Sequence, residues 1–342
     1  MASFNVTTPG NDSNDKSSTD ITMFLKIFAG ETLAAYARTS KTAGKHLEIS
    51  VKKAKSAQFP VMGRGKAKFL KPGDELNGQE FKQTEKVIQI DGLLTADCFV
   101  SDLYEAMSQD AFRAMYAAQL GESLAIAKDQ HVLAEAAKMV VAGVENLEGL
   151  GKPVLADVGV MPDFTLEGHD AILKWGSMFV LQMQAVAARF DKNYVPKAER
   201  YAFIIPEVKA VLLRYLSAAG LDTNGAAFVS QWGDITIAGI PLIDVPHLGD
   251  SGVDFSNSLN SVGHKFPEKY AGKTYAVVFH KGAVGTLNLM SMGFETQRYS
   301  TRQAEHLVAK MSTGHGGLRP EASAMLVGIG EIPEVPKSRA SK

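Results

Sequence analysis

The 342-residue sequence contains a single cysteine, Cys98. No intrachain disulfide can form, and no cysteine-based metal site can be built. This fits a reducing compartment. No apolar run approaches the ~20 residues that a transmembrane helix needs, so no membrane partner is expected. Neither sign of charge dominates, and the formal net charge is -1. That excludes the overall basic field with which DNA-wrapping proteins release counterions. Residues 1–20 have neither the basic start nor the apolar stretch of a signal peptide, so a secretory leader is not expected. Proline is missing between Pro72 and Pro153. What remains is globular composition, 45% hydrophobic, with a length that suits two compact units or one divided unit.

Residues 1–20 are rich in Ser, Thr, Asn and Asp and bury too little apolar surface to offset ordering, so they read as an extended arm. Ile21 to Arg38 reads as an apolar helical segment that Asp20 can cap. Lys41 to Lys71 carries eight lysines and Arg64 against Glu48 alone, broken by Gly63 and Gly65. It reads as the outgoing half of a long basic hairpin, returning through a strand at Glu85 to Asp91. Such a hairpin has little means to fold on its own core. Leu103 to about Val141 shows helical spacing of Leu103, Met107, Ala111, Ala114, Ala118, Ala125, Val132 and Ala136. This predicts a spine helix on the order of 50 Å long, with Gly121 as a break or bend.

An α/β pattern follows Gly151. It predicts a helix over His169–Phe190, a strand over Tyr201–Ile205 and a helix from Pro206 to Ala219. A hairpin turning at Gly239, a polar loop from Ser251 to Gly272 and strands at Thr274–Phe279 and Leu287–Tyr299 come next. Leu307 to Ile329 reads as a strand pair around Gly314-His315-Gly316-Gly317.

Several fragments imitate catalytic motifs. Ala271-Gly272-Lys273-Thr274 resembles the end of a P-loop, but Pro267 stands where its first glycine belongs. His315-Gly316-Gly317 resembles an oxyanion loop, yet the chain has no Gly-x-Ser-x-Gly elbow, so a tight turn with positive φ is the simpler expectation. The eight histidines are scattered, without an i, i+4 pair. Asp97, Asp102 and Glu105 are placed to complement the spine helix dipole. No catalytic site, cofactor or metal is expected, and parts without local cores point to self-assembly.

Other phrases carry a resemblance. They are Phe24-Leu25-Lys26-Ile27-Phe28, Tyr36-Ala37-Arg38-Thr39-Ser40, Lys55-Ser56-Ala57-Gln58-Phe59-Pro60-Val61 and Thr84-Glu85-Lys86-Val87-Ile88. Further on stand Asp91-Gly92-Leu93-Leu94-Thr95-Ala96-Asp97, Gln119-Leu120-Gly121-Glu122-Ser123-Leu124-Ala125, Lys192-Asn193-Tyr194-Val195-Pro196, Val245-Pro246-His247-Leu248 and Gly314 to Ala322. In this order the sequence resembles the major capsid proteins of T-seven-like short-tailed bacteriophages, from about Met23 to Val327. Residues 1–20, 152–168 and 249–272 depart from the pattern.

The resemblance implies an α+β fold of the HK-ninety-seven (Johnson) capsid type. Its expected parts are an N-terminal arm (1–45), an E-loop (46–91), a peripheral domain with the spine helix (92–160) and an axial α/β domain (161–286). Return strands of the peripheral domain (287–330) and a C-terminal tail (331–342) complete it. It also implies hexamers and pentamers of this chain forming an icosahedral shell, with a scaffolding protein during assembly and a portal at one vertex. Double-stranded DNA is enclosed with weak non-specific contact, a decoration protein is a possible further partner, and assembly takes place in the host cytoplasm before the chain becomes virion capsid. Encapsulin-like nanocompartment shells share this fold and stay open as an alternative, as does an α/β enzyme with an unrecognised motif.

Charge suggests how copies meet. Residues 41–71 carry a formal +8 and residues 91–148 a formal -7, from ten acids against Arg113, Lys128 and Lys138. Opposite fields on two elements suit complementary faces. The contact candidates are Lys52, Lys53, Lys55 and Arg64 on the basic element, Phe59 and Phe69 as apolar anchors, and Asp102, Glu105 and Asp110 at the start of the spine.

Overall fold

The computed structural model describes residues 31–65, 67–69, 71, 75, 78, 80–101, 111–162, 169–218, 235–250, 253, 258–259, 263–301 and 303–330. The chain forms two compact units. Three long elements run through both: helix α2 (Ala111–Ala142) and strands β10 (Val284–Tyr299) and β11 (Ala304–Gly317). At 32 residues, α2 is about 48 Å long. Its freedom from proline and its abundance of alanine let it continue unbroken in sequence.

The first unit holds the helix α1 (31–39), residues 92–128 and 288–313. Strand β4 (Leu94–Ser101) pairs antiparallel with β11, from Ala304 opposite Ser101 to Met311 opposite Leu94. Period-two alternation turns Leu94, Ala96, Cys98 and Val100 inward. They pack with Leu307, Ala309 and Met311 against Ala117, Leu120 and Leu124 of α2. The helix passes straight through Gly121, whose missing side chain admits the backbone of Thr32; a Cβ there would strike the Thr32 carbonyl.

The second unit is built on a six-stranded sheet in the order β5-β12-β9-β6-β8-β7. These strands are β5 (Val154–Asp157), β6 (Arg200–Ile204), β7 (Thr236–Ile237), β8 (Ile240–Asp244), β9 (Thr274–His280) and β12 (Ser323–Val327). Strand β12 pairs parallel with β5 and antiparallel with β9. Helix α3 (His169–Lys192) buries Trp175, Phe179, Met183, Val186 and Phe190, a stripe spaced by three or four residues. Helix α4 (Pro206–Ala218) crosses it where Gly176 leaves room for the side chain of Tyr215. Trp175 also donates its indole N–H to the Gly159 carbonyl at 3.1 Å. The β7–β8 turn places Ala238 and Gly239 at φ +52° and +77°, the left-handed pair that a tight hairpin requires.

The basic excursion forms the expected hairpin. Strands β2 (Ser56–Met62) and β3 (Gln83–Gln89) pair antiparallel, from Ser56 opposite Gln89 to Met62 opposite Gln83. Its base is packed on the body of the second unit rather than on a core of its own. Ala57, Phe59, Leu47 and Val51 pack on buried Ile88, Ile90, Leu287 and Leu318. Strand β1 (Leu47–Ser50) edges a second sheet of order β1-β10-β11-β4.

Three expectations need correction. Gly314 to Gly317 is no turn: it lies inside β11, and none of its glycines has positive φ. They are small for contact reasons, since a Cβ on Gly314 would strike the Gln89 carbonyl and one on Gly317 the Met139 side chain. Asp97, expected near the spine helix dipole, lies on β4 and pairs with His306 at 2.8 Å. Sheet hydrogen bonds also cross the expected limits at 160 and 287, because β5 and β12 join the strands of 161–286. Five consecutive buried residues make β12 a central strand rather than a return to the spine.

Candidate functional site

The subunit-contact candidates lie at the base and along the edge of the β2–β3 hairpin. Lys52, Lys53 and Lys55 are exposed in the link from β1 to β2, and none is paired with an acid among the described residues. Lys53 adopts φ +56°, uncommon for a residue with a side chain. The Lys55 carbonyl accepts the Ile90 N–H at 3.0 Å, closing the base of the hairpin. Phe59 is half-buried within its own chain, whereas Phe69 is fully exposed. Asp102, Glu105 and Asp110 lie outside the described residues, as does the expected cap Asp20.

Arg64 is engaged within its own chain. Its guanidinium lies 4.5 Å over the Tyr194 ring and donates to the Asn193 carbonyl. With Met62, Arg319 and Glu321 these residues line a cavity of about 200 Å³. Glu321 is buried at its floor, and burial pushes its carboxyl above the usual range despite the nearby Arg319 and Arg64.

Several of the described acids in 91–148 are engaged within the chain. Glu122 pairs with Arg38 at 3.5 Å and Glu148 with Lys82 at 3.2 Å. Asp129 is buried and accepts from the backbone of Lys41 and Thr42. Asp91 and Glu135 both face the buried ring of His264. Charge counting along a sequence misses this, because it treats every acid as solvated.

The histidines are not all scattered in space. The rings of His131, His264 and His315 lie 5.1, 5.3 and 5.4 Å apart, all buried. His315 is joined to Thr286 Oγ1 at 2.9 Å. Burial pushes His131 down to about 3, helped by the charge of His264. His264 is pushed up to about 9, because its bonds to Asp91 and Glu135 outweigh burial. Among the described residues, no group of His, Cys, Asp or Glu has the arrangement of a metal site. Thr274, in the P-loop imitation, opens strand β9 rather than a helix and donates to the Tyr270 carbonyl at 2.9 Å.

Comparison with known proteins places this arrangement. A family model described as Gp10A-like major capsid protein matches residues 58–327. The major capsid protein of Enterobacteria phage T3 is 40% identical over 326 residues, 90% of this chain and 92% of that protein. The major capsid protein of Escherichia phage T7 is 37% identical over the same shares of both chains. Among solved structures, the capsid of Cyanophage P-SCSP1u is similar with a TM-score of 0.68 and 26% identity, over 84% of this chain and 87% of that one.

Proposed function

The chain belongs to the Gp10A-like major capsid protein family, and from that premise we propose how it builds its shell. It is a structural subunit of an icosahedral bacteriophage head, with the α+β HK-ninety-seven-type capsid fold, and many copies of it form the virion capsid. The family is structural, not enzymatic. The match over residues 58–327 carries this conclusion, since it takes in nearly all of the hairpin, the spine helix and every strand of the two larger sheets except β1.

The copies group as hexamers and pentamers. They assemble in the host cytoplasm around a scaffolding protein, leave one vertex to a portal, and can take a decoration protein on the outside. In that assembly 1–45 is the arm and 46–91 the E-loop. The spine helix with β4 and the outer parts of β10 and β11 forms the peripheral domain, and 161–286 together with β5 and β12 the axial domain. The exposed lysines at the hairpin base support the E-loop as a contact to a neighbouring copy. Double-stranded DNA is enclosed with weak contact. The formal charge of -1 supports a wall on which packed DNA slides, because strong phosphate contacts would hold it.

The test is co-expression with a scaffolding protein, followed by light scattering and negative-stain microscopy. Closed shells or capsomers are expected. Monomer alone, across salt and scaffold conditions, would overturn this reading.

A further inference from the structure

His264 stands between two carboxylates inside the second unit. Its Nε2 lies 2.7 Å from Asp91 Oδ2 and its Nδ1 lies 2.8 Å from Glu135 Oε1, with the side chain 2% exposed. A neutral imidazole has one N–H and can donate to only one of them; an imidazolium donates to both. Nδ1 hydrogen-bonds Glu135 while Nε2 is in ion-pair contact with Asp91, and two carboxylates on one buried ring favour its charged form.

The three residues come from distant parts of the chain. Asp91 follows the end of β3, where the hairpin rejoins the body. Glu135 is on α2, and His264 precedes the turn at Glu268–Tyr270. Further bonds gather on the same point. Lys138 Nζ donates to Glu135 Oε1 at 2.8 Å and to the Gly263 carbonyl at 2.6 Å. The Ser258 hydroxyl and the Leu259 N–H both donate to the Asp91 carbonyl at 2.8 Å. His131 on α2 and His315 on β11 form the remaining wall.

We propose that His264 is a positioning residue for shell building: an imidazolium latch that fixes the exit of the β2–β3 hairpin, through Asp91, to the spine helix, through Glu135, and so sets how the hairpin lysines are presented. Its role in assembly rests on the reading of that hairpin as a contact between copies.

The latch has a pH signature. His264 is raised from 6.5 to about 9. Its contribution is full below 6.5 and is lost as pH rises through about 9. Burial pushes Glu135 up, but the bonds and charges of His264 and Lys138 hold it below 4.5. That contribution is present above 4.5 and is lost as pH falls through the lowered value. His131 stays neutral throughout the band between, so it adds no opposing charge. The latch thus holds at neutral pH and opens in alkali.

The test is amide hydrogen exchange of the full chain, read by mass spectrometry across alkaline pH and corrected for intrinsic rates, together with shell yield. In wild type, protection of residues 88–91 should be level below about pH 6.5, fall by up to about tenfold per pH unit between 6.5 and about 9, and level off above that. H264Q and E135Q should lose the step, whereas H131N should keep it. Flat protection in wild type, or an unchanged step in H264Q, overturns the latch. If H264Q does not fold, the wild-type profile and E135Q decide. A step without any matching loss of shell yield leaves the latch standing and overturns its role in assembly. Lost yield without the step overturns the latch alone.

Discussion

Thr42 and Asp129 are joined inside the protein, the Thr42 hydroxyl donating to Asp129 Oδ1 at 2.5 Å with both residues fully buried. The same carboxylate accepts the Lys41 N–H at 2.6 Å, and His247 Nε2 lies 3.7 Å away. The pair ties the segment before β1 to the middle of the spine helix. A buried carboxylate is tolerable only when donors surround it, and a donor robbed of it is left without its partner.

Asp129→Ala should therefore destabilise the subunit by about 2–4 kcal/mol, and Thr42→Val by about 1–2 kcal/mol. Urea denaturation of unassembled subunit measures both. The double mutant should cost less than the sum, by about 1 kcal/mol or more, because each single change removes the same bond. Strict additivity would contradict the shared bond.

Gly314→Ala should cost about 1–3 kcal/mol or more, because the new methyl group meets the Gln89 carbonyl, which belongs to backbone and yields little. Gly293→Ala is the control. Its Cβ would find only Lys310, at 3.9 Å, so its effect should stay within about 0.5 kcal/mol. Thermal melts of the two variants compare them directly; equal melting temperatures would contradict the close contact.

These sites show where the sequence was readable. Helices α2, α3 and α4 each carry their own periodicity, so their cores and approximate limits could be read locally. The β7–β8 hairpin carried its turn residue, Gly239. Strands β4 and β5 were not read, although β4 carries period-two alternation; β12 was read as a strand, but its run of buried residues does not say which sheet it joins. Gly314 to Gly317 misled for another reason. Glycine marks either a turn or a close approach, and only the Gln89 and Met139 neighbours distinguish them. His131, His264 and His315 share no spacing at all; the fold alone brings α2, the 263–266 segment and β11 together. The contact lysines were readable as charge, but the fate of the acids was not, since the burial of Asp129 and the pairing of Asp91 and Glu135 with His264 are tertiary.

Reversing Lys52, Lys53 and Lys55 together to Glu should lower shell yield while leaving subunit stability within about 0.5 kcal/mol per site, because these side chains are exposed and unpaired within the described chain. The loss should be greatest at low salt, where the summed field is least screened. Light-scattering assembly curves at two ionic strengths check this. Wild-type curves at both would contradict an electrostatic contact.

Glu321→Gln should raise the melting temperature at neutral pH. Burial lifts the Glu321 carboxyl above its usual value, so the folded state holds a proton that the unfolded state releases. Stability attributable to this group therefore falls as pH rises from 4.5 through the raised value. The gain from Gln should shrink as pH is lowered, and scanning calorimetry over that range reads it. A neutral or lower melting temperature at pH 7 would contradict the burial account.

The most direct measurement of the central claim is a cryo-electron microscopy reconstruction of particles made by the full chain co-expressed with a scaffolding protein. The account predicts a closed icosahedral shell in which every capsomer is built from this chain, with the β2–β3 hairpin of one copy lying on its neighbour. Particles absent under all conditions, or a small oligomer of fixed size in their place, would contradict it.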